Sequence, residues 1–83
     1  MPYITQKERR KFYHGLTFLN PQKPGDLNFV ITSICHEYLT RMGKDYIHLN
    51  EIVGVLECAK QEFYRKIAVP YEEAKEEENG PVK

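Results

Sequence analysis

An all-α fold is what the hydrophobic spacing predicts, arranged as a small antiparallel helical bundle of three main helices, the last kinked or split at Pro70. Two apolar stripes and one pattern of breaks carry that reading. Leu27, Val30, Ile31, Ile34, Cys35, Tyr38 and Met42 recur at helical steps. Ile52, Leu56, Ala59, Phe63 and Ile67 follow at steps of four, three, four and four. At about 100° per residue these last five fall in a stripe roughly 80° wide, and neighbouring helices are expected to cover it. Proline and glycine gather at residues 20–25 and 79–81, where chains turn or stop. No internal repeat or low-complexity segment interrupts the pattern.

The first helix opens on Thr5-Gln6-Lys7-Glu8, a capping-box spacing. The Thr5 hydroxyl is expected to accept from the Glu8 amide while the Glu8 carboxylate reaches back to the Thr5 amide. Phe12, Leu16 and Leu19 share one side of this helix, which is predicted to end near Phe18. Gly15 weakens it by up to about 1 kcal/mol relative to alanine. Ile4 and Arg9 make a poor hydrophobic staple, so Ile4 is expected to pack elsewhere.

The second helix is predicted from an Asp26 cap to about Met42, with Gly43 after it and Arg41 in the last turn to suit the helix dipole. Phe29 and Leu39 lie off its apolar stripe, by roughly 180° and roughly 100°. Two apolar residues on the far side suggest a second contact surface, and both are candidates for an oligomer interface.

Lys44 to Leu49 reads as a connector, and the third helix is expected to start between His48 and Asn50. Gly54 sits opposite its stripe with Glu57, Gln61 and Arg65. A glycine there marks either the close approach of another group or a solvated face. Pro70 kinks this helix or begins a new one, with Glu72 and Glu73 favourably placed in a first turn. Tyr64 and Tyr71 are seven apart, so an unbroken helix aligns them and a break does not.

With 83 residues the chain is expected to be a single helical domain with a frayed tail at 79–83. That length is near the lower limit for a self-sufficient core, and self-association is a common way to add stability. Net charge is zero but unevenly spread. Residues 1–26 carry five Lys/Arg against Glu8 and Asp26, and residues 70–83 carry five Glu against Lys75 and Lys83. A basic head and an acidic tail can pair within or between subunits, which weakens a nucleic-acid reading of the basic head alone. There is no apolar run long enough to span a membrane and no signal-peptide pattern, so a cytoplasmic setting with reduced thiols is expected. Cys35 and Cys58 are read as small buried side chains.

Among the polar residues, His36-Glu37 lacks the second histidine four residues on that a helical zinc site needs, because Thr40 stands there. His48, near a helix start, is a candidate cap, ligand contact or base. Glu57, Lys60, Gln61, Tyr64 and Arg65 offer a polar contact face, and Tyr71 can join it. Arg65 supplies the planar fork for phosphate or carboxylate, and Tyr64 an aromatic flank. The bland alternative is a solvated helix with ion pairs such as Glu62 with Arg65. No catalytic residue, metal site or cofactor is assigned. No P-loop, Gly-rich fingerprint or Ser/His/Asp set is present.

Several stretches resemble a known family. They are Met1-Pro2-Tyr3-Ile4 with Gln6 and Arg9, the run Asn50-Glu51-Ile52-Val53-Gly54-Val55-Leu56-Glu57-Cys58-Ala59-Lys60-Gln61-Glu62-Phe63-Tyr64-Arg65, Pro70-Tyr71-Glu72, and the Glu78-Asn79-Gly80 ending. Asn28 and His36-Glu37-Tyr38 add to it, while residues 10–25 look least like it. The resemblance is to a family of small uncharacterised proteins of bacteriophages and prokaryotes, a domain of unknown function. It implies a setting and no catalytic residues. Family members often end Asn-Gly-Asp-Val, and Pro81 stands in place of that aspartate here.

Three function classes follow. The favoured one is a non-enzymatic interaction module, a phage- or prophage-type accessory protein that binds itself as a homodimer or higher oligomer and binds a further protein, with no membrane partner. The alternative is a nucleotide- or nucleic-acid-binding, sequestering protein that takes a phosphate-bearing ligand through His48, Lys60, Tyr64 and Arg65. The third is a metal-dependent nucleotide hydrolase using carboxylates such as Glu51 and Glu57. These lie six apart on different helix faces, so one helix alone cannot build that site.

Overall fold

The computed structural model describes residues 4–81, and all secondary structure among them is helical. The expectations for residues 1–3, 82 and 83 lie outside the described residues. The elements are α1 (Gln6–Leu19), α2 (Pro24–Met42), α3 (Tyr46–Phe63), a π-helical turn (Tyr64–Ala68) and α4 (Val69–Asn79). The last three are joined end to end, so three main helices are found, as the spacing predicted.

The chain divides into two units, residues 1–49 and 50–83. The first holds α1, α2 and the opening turn of α3. Its helix ends are fixed by short-range polar contacts. Thr5 caps α1, with the Glu8 amide donating to its Oγ1 at 3.2 Å. The reciprocal bond differs from the expected one: the Thr5 hydroxyl itself donates to the Glu8 carboxylate at 3.0 Å. Ile4, free of any staple, gives its carbonyl to the Arg9 Nε at 3.1 Å. Asn20 closes α1 in the left-handed region, φ 41°.

α2 starts two residues earlier than its expected Asp26 cap. Pro24 stands in the first turn, where its missing N–H costs nothing, and Lys23 is the extended N-cap residue. Asp26 sits inside the helix and accepts from the Gln22 amide at 3.2 Å, so it anchors the approach to the helix from within. Gly43 ends α2 at φ +115°, a conformation L side chains rarely adopt, with its amide on the Leu39 carbonyl at 2.8 Å. α3 begins at Tyr46, ahead of the expected start, because Asp45 is the cap. Its Oδ1 accepts from the His48 amide at 3.2 Å.

The second unit is one helical path with a widened turn. Backbone angles stay right-handed helical through Phe63, Ala68 and Val69, so Pro70 does not break the helix. The Val69 amide reaches the Tyr64 carbonyl, five residues back. Proline in a helix interior removes one bond and pushes its ring against the carbonyl four residues earlier. An extra residue in the turn just before Pro70 widens the helix there and relieves that crowding. The same residue sets Tyr64 and Tyr71 about 100° out of line, since each residue turns the helix by that much.

No described residue is fully buried. Ile52 is half-buried, but Leu56 is 40% exposed, Phe63 65% and Ile67 55%. The second unit, made of one helix, has nothing of its own to lay against this stripe. Cys35 is half-buried and Cys58 exposed, both as free thiols, so the expectation of two buried side chains fails at Cys58. A methyl group added at Gly54 would meet nothing within 4 Å among the described residues of the chain. No helix among the described residues is long and apolar enough to cross a membrane.

Candidate functional site

The polar face read on the third helix is present as a surface, and most of its cations are already engaged. Lys60, Gln61, Tyr64 and Arg65 line one shallow hollow of about 320 Å³. Arg65 Nη2 lies 2.7 Å from Glu62 Oε2, and Lys60 Nζ lies 3.8 Å from Glu57 Oε1. The Gln61 amide nitrogen donates to the same Glu57 oxygen at 3.1 Å. Each positive group here faces a carboxylate one helical turn away. A phosphate entering the hollow competes with those carboxylates and meets little net positive field.

Tyr71, on α4, is 63% exposed and has the Lys75 ammonium 5.8 Å from its ring centre. Its neighbours on that helix are glutamates. Among the described residues Glu72, Glu73, Glu76 and Glu77 form no ion pair, while Glu78 takes Lys75 at 3.6 Å.

His48 belongs to the first unit and closes the turn between α2 and α3. Its Nδ1 lies 3.1 Å from the Gly43 carbonyl and 2.8 Å from Asp45 Oδ1. Both partners only accept, so Nδ1 carries a hydrogen and donates. Of the three roles open to this histidine in the sequence, the structure shows it tying the turn. His36 is exposed. Phe29 is 72% exposed, whereas Leu39, the other off-stripe residue of α2, is half-buried. Among the described residues no group of three or more His, Cys, Asp or Glu is placed to hold a metal ion.

One further feature went unread in the sequence. α1 and α2 leave a groove of about 620 Å³ lined by Ile4, Phe12, Leu16, Leu19 and Ile34, with Arg9 and Lys11 at its margin. Phe12 is 49% exposed, Leu16 58% and Ile34 54%. The signal was available: Phe12, Leu16 and Leu19 form a stripe inside the basic head of the chain. The helical spacing at 100° per residue sets Lys7, Arg10 and His14 on the other side of α1, with Lys11 at the groove's margin. Phe18 also lines the groove and is 90% exposed. Lys7, Arg10 and Lys11 form no ion pair among the described residues, though the Lys11 ammonium lies 5.2 Å from the Phe12 ring centre.

These features define a small all-helical protein with open apolar and charged faces. Comparison with known families places it further. The chain matches, over residues 1–82, the family described as a domain of unknown function (DUF6899), and it belongs to that family. It matches no curated protein and no solved structure.

Proposed function

We propose that this chain is a non-enzymatic interaction module, an accessory protein of the phage or prophage kind, that works as a self-associated assembly and binds a further protein. The observation that carries this reading is the absence of any fully buried side chain among the described residues. Burial of apolar surface is the main favourable term in folding, at roughly 25 cal/mol per Å². Isolated helices are marginal in water, and most helical stability in proteins comes from packing an apolar face. Helices that leave Leu16, Ile34, Leu56 and Phe63 at 40% exposure or more gain that stability from a partner. A second copy is the partner always at hand. Sedimentation equilibrium at micromolar concentration tests the reading: an oligomer is expected, and a monomer alone removes it.

The hollow shared by Lys60, Gln61, Tyr64 and Arg65 favours a second reading, a phosphate-bearing ligand. The carboxylates of Glu57 and Glu62 beside it count against that ligand. Thermal denaturation in the presence of nucleotides decides, since a phosphate binder gains melting temperature with ligand concentration.

A further inference from the structure

Three cations of α1 stand without carboxylates. Lys7, Arg10 and Lys11 form no ion pair among the described residues, whereas Arg41, Lys60, Arg65 and Lys75 each face a glutamate one helical turn away. The spacing explains the difference. Three and four residues after Lys7 come Arg10 and Lys11, and four after Arg10 comes His14. Glu8, the one acid of α1, takes the Thr5 hydroxyl at 3.0 Å instead of Lys11. Like charges four apart destabilise a helix, so α1 carries a repulsion that a row of anions laid along it removes. At about 100° and about 1.5 Å per residue, Lys7, Arg10, Lys11 and His14 occupy a strip roughly 100° wide and about 10 Å long. All four are exposed. Phe18 prolongs the strip, roughly 20° round from Lys11 and about 10 Å further on. At 90% it is the most exposed large apolar side chain among the described residues.

We propose that this strip of α1 binds single-stranded nucleic acid. Lys7, Arg10 and Lys11 each take a phosphate, His14 donates to a phosphate or sugar oxygen, and Phe18 stacks on a base. Cations at one-turn intervals suit a chain of singly charged phosphodiesters, and an open aromatic ring beside them suits an unstacked base. An acidic protein segment satisfies the cations and leaves Phe18 in water. A duplex keeps its bases stacked and out of reach of the ring. A lipid surface is matched less well, because Phe12, Leu16 and Leu19, the apolar face that an interfacial helix buries, line the groove with Ile34. The site is separate from the hollow of Lys60 and Arg65, and it stands independently of self-association.

Fluorescence anisotropy of a labelled oligothymidylate of about 20 nucleotides, titrated with the full chain, tests this. Three phosphates neutralised on a single strand give a slope of log affinity on log salt near −2, so affinity is expected to fall about twentyfold between about 50 and about 200 mM NaCl. The triple variant Lys7→Ala, Arg10→Ala and Lys11→Ala is expected to bind at least about tenfold more weakly and to lose most of that slope. It keeps its helix, since alanine is the best helix former and the repulsion is gone, and circular dichroism checks this. Phe18→Ala is expected to weaken binding severalfold with the slope unchanged. Lys60→Ala combined with Arg65→Ala is expected to change neither. Wild-type protein that does not bind, or a triple variant that binds as well as wild type, overturns the proposal. So does a Phe18→Ala variant with wild-type affinity. Equal affinity for poly-L-glutamate or for phosphatidylserine vesicles overturns it too, because negative charge alone would then be what the strip reads.

Discussion

In the first unit the helices are held at their ends. Thr5, Asn20, Asp26, Gly43 and Asp45 each satisfy or redirect backbone at a terminus, and His48 ties the second turn. In the second unit the helix is supported along its flank, by Glu57 with Lys60, Glu62 with Arg65 and Lys75 with Glu78. Gly80 closes its far end. End contacts determine where the chain turns, and α1 and α2 of this unit leave a groove. Flank contacts determine nothing about direction, and exposed pairs of this kind are worth about 0–1 kcal/mol each. The first unit therefore offers a shaped surface, and the second a rod whose stability a partner supplies in the proposed assembly.

The largest effect is expected at the rod's exposed anchors. Phe63→Ala removes an aromatic that is 65% exposed on the second unit and that the proposed self-association would cover, and loss of an interface anchor of this kind costs about 2 kcal/mol or more. Dilution should then lower the helix signal in circular dichroism at concentrations where wild type keeps it. Equal dilution curves for the two proteins would mean that the second unit stands without a partner.

Next comes the turn of the first unit. Gly43→Ala places a methyl group at φ +115°, where strain of about 1–3 kcal/mol is expected. The added carbon itself meets only Asp45 and His48 atoms at 3.9 Å, so conformation and not crowding is the cause. A lower urea midpoint with an unchanged slope would show it. Pro70→Ala acts in the opposite direction. It restores a donor and removes the ring, so the π turn can tighten to an α-helix, with a gain on the order of 1 kcal/mol and higher helicity. Unchanged helicity would show that the widened turn has another cause than the proline.

The smallest effect is expected at Arg65→Ala. Its 2.7 Å bond to Glu62 is made by a side chain 71% exposed, and its loss should change stability by about 0.5 kcal/mol or less. A larger loss, measured by thermal unfolding, would contradict the picture of flank pairs as minor supports.

The helices themselves were legible in the chain. Helical period is a property of neighbours three and four apart, so Ile34 with Tyr38 and Phe63 with Ile67 declare a helix without reference to anything distant. The capping role of Thr5 was equally local. The caps at Lys23 and Asp45 were missed, because proline at the first helical position and an aspartate before Tyr46 compete with other good candidates nearby. The polar face of Lys60, Gln61, Tyr64 and Arg65 was legible as a cluster. That its cations answer to Glu57 and Glu62 depends on rotamers, which spacing does not fix.

Local residue order settled the helical class, the start of α1, the Gly43 stop and the passage of a helix into Pro70 as something needing relief. It did so because each depends on backbone sterics and hydrogen bonds within a turn or two. The depth of burial was another matter. Whether Leu56 is covered, whether Leu39 is half-buried and whether α1 and α2 leave a groove all depend on what lies across from each face. Contacts between residues far apart in the chain carry that information, and no local pattern contains it.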